Sequence, residues 1–354
     1  MPPVARRTQP SQPIPAKFVQ VLEYMNGPQA VLAERSTDHK IVAVAIDKPG
    51  YRYPFFGAGI SFEQWERYRR GFLDFRFLFM YPRWKEWYVF DLKSEETETV
   101  RLTRVQKDSF AEEHYIPEPG FFAYDHSEPI RSTEAQGLAT QNYKTDGIWD
   151  LPDFTEFYHK ITDLYTFHLS LKRYVAVSTP IDQKRKIRES FTGHPLRGGY
   201  SYVNLYSGLS SAQGLADRLS VGKLYYGSPG NVDVRGRLDV FAEMTTTFNE
   251  FAANYERVKS LYNALHHYLS KNKYLKADSD RFDKEGSVAN FIHTEATGLA
   301  RALGIENPEL IYELTDKHAL KYAKILLAHF RRVESYFMFF AEGRVKTPET
   351  SAPD

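Results

Sequence analysis

Residues 220 to 271 read SVGKLYYGSPGNVDVRGRLDVFAEMTTTFNEFAANYERVKSLYNALHHYLSK, and the hydrophobic period changes once within them. Apolar and polar residues alternate on both sides of the turn Ser228-Pro229-Gly230, which predicts a β-hairpin. From Leu238 onward the apolar residues recur every three or four positions, which predicts a helix. About 34 residues at 1.5 Å each give a helix roughly 50 Å long. The stretch therefore predicts a hairpin that leads into a long helix.

The predicted helix carries a seam of large apolar side chains. Burying each of them is worth about 1.5 to 3 kcal/mol, so another surface must cover the seam. The apolar repeat from Leu320 to Phe337 offers that cover inside the same chain, as an antiparallel bundle. The alternative is a coiled-coil contact with a second copy or a protein partner through the 238–271 helix. In that case the interface residues are Phe241, Phe248, Tyr255, Tyr262 and Leu269.

Composition excludes several classes of protein. The 354 residues include 46 Lys and Arg against 45 Asp and Glu, so no whole-chain charge attracts nucleic acid or membranes. Because Cys is absent, disulfides, thiolate nucleophiles and Cys-ligated metals are excluded. No secretory signal or apolar run long enough to span a bilayer is present, which predicts a cytoplasmic protein without a membrane partner.

Composition shifts along the chain divide it into five parts. Short β-rich segments precede the capping box Ser61-Phe62-Glu63-Gln64, which predicts one short helix packed on an antiparallel sheet. Pro- and Gly-rich sequence then predicts a linker that carries a docked aromatic piece, Phe121 to Tyr124. The predicted parts are a disordered Pro-rich tail, 1–16; a β-rich domain, 17–107; the linker region, 108–150; an α+β domain dominated by long helices, 151–345; and a disordered tail, 346–354.

The second domain is predicted to combine helices with a few strands. A helix is predicted from Pro152, whereas Tyr174–Val177 and Tyr200–Tyr206 are predicted as strands before the hairpin. The fold class is therefore α+β. It comprises a small antiparallel β-rich N-terminal domain and a C-terminal domain with a β-hairpin and long antiparallel helices.

The N-terminal motifs also resemble a known group. The order Val21 to Tyr24, Gly27-Pro28, an apolar strand to Ile46 and the capping box at Ser61 is similar to an uncharacterised N-terminal domain family of bacterial proteins, over residues 17 to 107. The turn at Tyr226 to Gly230 is similar to hairpins of uncharacterised bacterial proteins, some linked with phage defence. The resemblance implies a component of a multi-protein, phage-defence-like system, and it brings no catalytic residues.

Signals for catalysis are scattered. His293 and Glu295 form an H-x-E pair such as zinc deaminases use, but the cysteine ligands of those enzymes are missing. Residues two apart also point in different directions on a helix. With Asp316, the pair forms the candidate catalytic set for an enzyme whose site is assembled from distant positions. No motif predicts a metal site or a cofactor.

One basic segment, residues 172 to 199, is the candidate nucleic-acid surface. Its cations outnumber its acids, and Tyr174, Phe191, Tyr200 and Tyr202 lie nearby for base stacking. The candidate contact residues are Lys172, Arg173, Lys184, Arg185, Lys186, Arg188 and Arg197. A solvated helix face is the alternative explanation for this charge.

The sequence ranks three functions. A non-enzymatic interaction or assembly protein comes first, because an extended apolar seam accompanies the missing catalytic signatures. A nucleic-acid-binding or nucleic-acid-processing component using residues 172–199 is the second, and an enzyme with a site around His293 and Glu295 is the third.

Overall fold

The chain folds into two compact units, Met1–Ser132 and Thr133–Asp354. The computed structural model describes residues 12–92, 98–106, 115–123, 137–193, 196, 199–214, 217–279, 282–346 and 348–351. The first unit contains a six-stranded antiparallel barrel, and the second contains a helical region with a small sheet. The prediction of a mixed α and β protein is confirmed at this level.

The first unit is a meander of antiparallel strands with two helices inserted between the fourth and fifth strands. Each strand pairs with the next one along the chain, as consecutive strands usually do. The elements are β1 (Ile14–Tyr24), β2 (Pro28–Ser36), β3 (His39–Ala45), β4 (Pro54–Ser61), α1 (Phe62–Arg69), α2 (Phe75–Met80), β5 (Trp87–Asp91) and β6 (Thr99–Val105).

The barrel closes where the first strand meets the last. Ile14 pairs with Leu102 and Lys17 pairs with Thr99, so β1 contacts both β2 and β6. The strand begins three residues before the predicted domain start at 17, inside the predicted tail 1–16. Ala16 is buried there, because β6 supplies the pairing partner that local sequence does not reveal. Residues 1–11 of the predicted tail lie outside the described residues.

Apolar side chains fill both faces of the central strands. On β4, Phe55 stacks on Phe90 of β5 inside the barrel, whereas the next residue, Phe56, contacts Phe79 of α2 outside it. Successive residues of a strand point to opposite faces, so a strand covered on both sides must be apolar throughout. The capping box predicted at Ser61 and Gln64 is present and begins α1, the helix that helps to cover the outer face.

A carboxylate ties several barrel strands together at one end. Glu86 lies 3.0 Å from Arg104 of β6 and 3.5 Å from both Arg35 of β2 and His39 of β3. It also accepts a short hydrogen bond from the hydroxyl of Tyr88. Burial, reinforced by this contact with Glu86, raises the pKa of Tyr88 to about 12. Four side chains thus converge on one half-buried carboxylate.

The second unit packs helices against a small antiparallel sheet with the strand order β10-β7-β9-β8. Its elements in chain order are β7 (Leu138–Thr145), α3 (Leu151–Val175), α4 (Ile181–Thr192), α5 (Gly199–Ala212), β8 (Ser220–Tyr225), β9 (Gly230–Arg237), α6 (Leu238–Ala253), α7 (Tyr255–Lys271), α8 (Ser287–Ala302), α9 (Pro308–Leu314), α10 (Ala319–Ala341) and β10 (Glu349–Ser351). Strands β8 and β9 form the predicted hairpin.

Two predicted boundaries of this unit differ from the structure. Strand β7 lies inside the predicted linker 108–150, and β10 lies inside the predicted disordered tail 346–354. Both are strands because they pair with distant segments: β7 with β9, and β10 with β7. In the same linker, Phe121 packs on Phe75 of the barrel unit, as expected of the docked aromatic piece. Residues 107–114, 124–136 and 352–354 lie outside the described residues.

Two strands predicted before the hairpin are wrong. Residues 174 and 175 end α3 and the following two residues lie in a turn, so Tyr174–Val177 forms no strand. Tyr200–Tyr206 belongs to α5, whose buried residues Leu205, Leu209 and Ala212 follow helical spacing. In the sequence, Tyr200 and Tyr202 alternate with polar or small residues, and this alternation led to the prediction of a strand.

The predicted 238–271 helix is two helices, α6 and α7, which meet at Asn254. The backbone of Asn254 leaves the helical conformation, with φ −122° and ψ 25°. Its side-chain amide donates to the carbonyl oxygen of Glu250 at 3.1 Å. Asparagine competes in this way for backbone groups and favours helix ends over helix interiors. The apolar period continues across the break, which explains why it predicts one helix.

The centre of the second unit is α10. Every residue from Ala319 to Phe330 is buried, so this part of the helix is covered on all sides. Both lysines of this part are satisfied by hydrogen bonds: Nζ of Lys324 donates to the carbonyl of Ala277 at 2.9 Å, and Nζ of Lys321 donates to that of Thr192 at 3.1 Å. Among the helices of the described residues, none is long and apolar enough to cross a membrane.

Candidate functional site

The structure does not bring the predicted catalytic set together. His293 lies on α8, 3.6 Å from Glu309, with its ring against Tyr312. Asp316 lies in the turn after α9, where its carboxylate accepts a hydrogen bond from Arg188. Within the described residues no contact joins His293, Glu295 and Asp316, and no three His, Asp or Glu side chains are grouped to hold a metal ion. These residues therefore form no catalytic constellation.

Carboxylates neutralise much of the predicted nucleic-acid segment. The cations of Lys172, Arg173, Arg185 and Arg188 each contact an acidic side chain, namely Glu243, Asp217, Glu189 and Asp316 respectively. A phosphate would have to displace these partners. Lys184 and Lys186 on α4 form no ion pair within the described residues, and Arg197 lies outside them. Phe191, one of the predicted stacking aromatics, is buried in the core.

The predicted interface seam is covered inside the chain. Phe241 and Leu269 are fully buried. The ring of Tyr262 stacks on Phe330 of α10 at 4.1 Å. Further along α10, Phe340 covers Phe248 at 4.6 Å, and Phe337 covers Tyr255 at 5.7 Å. Of the two covers considered from the sequence, the structure has the one from the same chain, because α10 carries the complementary apolar residues. Phe248, Tyr255 and Tyr262 are partly buried against the core, so all five seam residues pack within the chain, and the interface assigned to them stays a prediction.

A polar cluster between α3 and α6 combines the buried His168 and Thr247 with the partly exposed Lys172 and Glu243. Nδ1 of His168 is 3.2 Å from a carboxylate oxygen of Glu243, whose other oxygen contacts Nζ of Lys172 at 2.5 Å. Burial of Glu243 raises its pKa, but the hydrogen bonds from His168 and Lys172 outweigh burial, so its pKa is lowered. On the other side of the ring, Nε2 of His168 is 3.5 Å from the hydroxyl of Thr247.

A second buried histidine, His329, continues this cluster into α10. Its ring stacks on Phe167 at 4.2 Å, and its Nδ1 lies 3.3 Å from the hydroxyl of Tyr206. Nε2 has no hydrogen-bond partner among the described residues. Burial, with the nearby His168 and Arg332, holds the pKa of His329 well below its usual range. The imidazole is therefore neutral at pH 7.

Thr247, His168 and Glu243 follow the order of a nucleophile, a base and an orienting acid. The space beside them has no room even for a water molecule. Its apolar wall comprises Leu164, Met244, Phe248, Val333 and Tyr336. Ligand pockets hold their substrates in about 300 to 1,000 Å³. The cluster is therefore a polar contact between packed helices, and it offers no place for a substrate.

One edge strand of the C-terminal sheet, β8, lies outside the core. Strand β8 lies at the end of the strand order and pairs only with β9 within the described residues. Every residue from Val221 to Tyr225 is exposed. The exposed fractions are 48% for Val221, 54% for Leu224 and 60% for Tyr225. Such an edge presents backbone donors and acceptors that another strand can pair with.

Further apolar side chains lie beside this edge. Tyr226 is 65% exposed, and its hydroxyl donates to the carbonyl of Trp149 at 3.2 Å. Ile148 and Leu151, which lie within two positions of Trp149 in the chain, are 92% and 83% exposed. We define the edge surface as Val221, Leu224, Tyr225, Tyr226, Ile148 and Leu151. Exposed apolar surface of this kind marks sites of protein interaction.

Sequence reasoning missed the edge surface. Val232 and Val234 alternate and are buried, whereas Val221 and Leu224 are three positions apart and share a face with them only because of a bulge between Val221 and Lys223. The sequence pattern predicts neither that bulge nor whether a helix covers the strand.

No protein-family model matches the chain, and neither a curated protein nor a solved structure matches it. The resemblance of residues 17 to 107 to a bacterial family therefore stays a prediction.

Proposed function

We propose that the protein is a non-enzymatic interaction or assembly protein, and that it receives a protein partner on the edge surface. The observation that supports this proposal is the exposure of β8 along its length, at the edge of a sheet whose strands β7 and β9 pack against α6. In β-strand addition, a partner strand gains main-chain hydrogen bonds from the edge and specificity from the side chains. Val221 and Leu224 supply apolar contacts for such a strand.

The edge surface replaces the helical seam as the interface. Seam residues such as Tyr262 are already stacked within the chain, and recruiting them would require α7 to separate from α10. Edge residues are exposed already, so a partner can bind them without disrupting the core. The resemblance over residues 17 to 107 supports a place in a cytoplasmic, multi-protein, phage-defence-like system.

The test compares protein recovered with wild-type and edge-variant baits. V221K/L224K places two charges on the edge, and L238K/V288K places two charges at other exposed apolar positions, 45% and 38% exposed, on α6 and α8. We expect the edge variant to lose a partner that wild type and the control retain, in quantitative mass spectrometry from native cells. Recovery of the same partners in equal amounts with all three baits would refute the proposal.

Contact with nucleic acid is the second candidate function. It rests on Lys184 and Lys186 of α4, which form no ion pair within the described residues. Binding to single-stranded RNA or DNA should then weaken steeply with salt, and K184A/K186A should reduce the slope of log affinity against log salt by about one to two. An unchanged slope would exclude these lysines as phosphate contacts.

A further inference from the structure

The pairing register defines which side chains of β8 share a face with the core. Val221 lies directly opposite Val234, and Leu224 lies directly opposite Val232. Directly opposed residues of an antiparallel pair point to the same face. Val232 and Val234 are buried beneath the helices, whereas Val221 and Leu224 are about half exposed. The apolar inner face of the sheet therefore continues one strand beyond its helical cover.

The outer face of the same edge is positively charged. Lys223 lies opposite Asp233, and the guanidinium of Arg235 packs over Gly222, where a Cβ atom would come within 2.8 Å of its Nε. Neither Lys223 nor Arg235 forms an ion pair within the described part of the chain. Asp233 instead accepts hydrogen bonds from Asn142 and Asn231. Two cations thus remain beside the edge on this face.

We propose that the edge surface binds an extended partner segment in which apolar residues alternate with acidic residues. The inference rests on the proposed function and adds the chemistry of the partner. Paired with β8, such a segment would place its apolar residues beside Val221 and Leu224 and its carboxylates beside Lys223 and Arg235. Alternation is required because successive residues of a strand point to opposite faces.

The charges also argue against a second copy as the occupant. Strand β8 reads Ser-Val-Gly-Lys-Leu-Tyr and contains no acidic residue. A copy of β8 would bring its own Lys223 and Arg235 to a face that already carries both cations. A lysine and a bulge, here at Gly222, are features that limit indiscriminate pairing of edge strands. They select for a strand that compensates the charge.

The experiment uses three labelled peptides with the full-length protein. Each peptide has eight residues that alternate Val with Glu, Gln or Lys, and binding is followed by fluorescence anisotropy at low salt. We expect the Val-Glu peptide to bind about tenfold more tightly than the Val-Lys peptide, because two opposite-charge pairs replace two like-charge pairs. Added salt should reduce this preference. The variant K223E/R235E should reverse it.

A matched control reverses two charges elsewhere. K184E/K186E changes the lysines of α4 and should leave the preference for the Val-Glu peptide unchanged. Circular dichroism melting of each variant identifies any that fail to fold. V221S/L224S should weaken the Val-Glu peptide and the Val-Gln peptide alike, because both rely on the apolar contacts and the variant adds no charge.

The outcomes separate this inference from the proposed function. If all three peptides bind equally and K223E/R235E has no effect, the proposal of strand addition is retained. The proposed preference for acidic residues is then refuted. If none binds, the inference is refuted, and the recovery experiment with V221K/L224K decides the proposed function independently. A concentration-dependent dimer in light scattering that V221K/L224K abolishes would identify a second copy as the occupant and would also refute the acidic segment.

Discussion

The barrel of the first unit and the sheet of the second are both antiparallel, but the barrel is closed and the sheet is open. In the barrel, β1 pairs with β2 on one side and with β6 on the other. In the sheet, β8 pairs with β9 alone within the described residues. Closure removes strand edges altogether, whereas an open sheet keeps backbone groups available for another strand. The contrast explains why the interaction surface is inferred in the second unit.

The two units also bury their polar groups differently. In the barrel, two arginines and a hydroxyl converge on the single carboxylate of Glu86. In the helical unit, the polar groups lie along a buried helix, where Lys321 and Lys324 donate to backbone carbonyls. The barrel cluster ties strand ends together, while the helical cluster is embedded in apolar packing.

The largest expected effect tests whether the two units are stabilised independently. Phe330→Ala removes a fully buried ring from α10 and should cost about 3 to 5 kcal/mol of unfolding free energy. Hydrogen exchange read by mass spectrometry should show lost protection in peptides of the second unit only. Phe291→Ala, at a position on α8 that is 44% exposed, is the matched control. Equal loss of protection in the barrel would contradict independent stabilisation.

A smaller effect tests the carboxylate at the end of the barrel. Glu86→Gln keeps the shape of the side chain but removes the charge that Arg35, Arg104 and Tyr88 contact. We expect a loss of about 2 kcal/mol, since hydrogen bonds to charged groups are worth about 1.5 to 3 kcal/mol. Urea denaturation measures the unfolding free energy of Glu86→Gln and of the control Glu118→Gln, which changes an exposed residue. A loss of unfolding free energy no larger than that of the control would show that the charge of Glu86 does not stabilise the barrel.

The pH dependence sharpens the contrast between the two polar clusters. Because the folded-state pKa of His329 is lowered, the unfolded chain binds more protons at acid pH, and stability falls as pH drops below about 6.5. The maximum slope is about 1.4 kcal/mol per pH unit for one such histidine. His318, whose pKa is also lowered by burial, adds to the same trend.

His329→Gln should reduce the slope of unfolding free energy against pH by the contribution of one histidine, because glutamine does not titrate. Urea denaturation from pH 7.5 to 5.5 measures the slope. His267→Gln changes an exposed histidine of α7 and serves as control. An unchanged slope in His329→Gln would mean that His329 can be protonated in the folded state.

The smallest expected effect concerns the edge itself. K223E/R235E changes exposed or edge positions and should alter the unfolding free energy by less than about 0.5 kcal/mol, since surface substitutions rarely do more. Its effect should appear in peptide binding alone. A large loss of stability would show that these cations support the sheet rather than a partner.

The sequence predicts best what depends on neighbours along the chain. The hairpin at 220–237 and the capping box at Ser61 follow from local turn and cap chemistry, and both are present. Barrel closure depends on Ile14 meeting Leu102, a pairing that no local pattern encodes. The apolar spacing continues across the break at Asn254, so the spacing alone predicts one helix instead of two.

Charge surfaces were harder to predict than apolar ones. Arg173 contacts Asp217, and Arg188 contacts Asp316, across 44 and 128 positions of sequence. Counting charges within a window cannot reveal such partners, so residues 172 to 199 looked more basic than they are. The edge surface was missed for another reason: α6 packs on β9, and the sequence of the hairpin does not indicate that Val221 and Leu224 stay exposed.

The position of α10 in the chain has a consequence for folding during synthesis. All six barrel strands have been made by residue 105, so the barrel can close while the ribosome is still translating the second unit. Helices α3, α6, α7 and α8 all pack on α10, yet α10 ends only at residue 341. Until it emerges, the apolar faces of these helices lack their principal partner. Nascent chains halted before α10 should therefore be bound by chaperones and cut readily by proteases, and chains that include it should resist both.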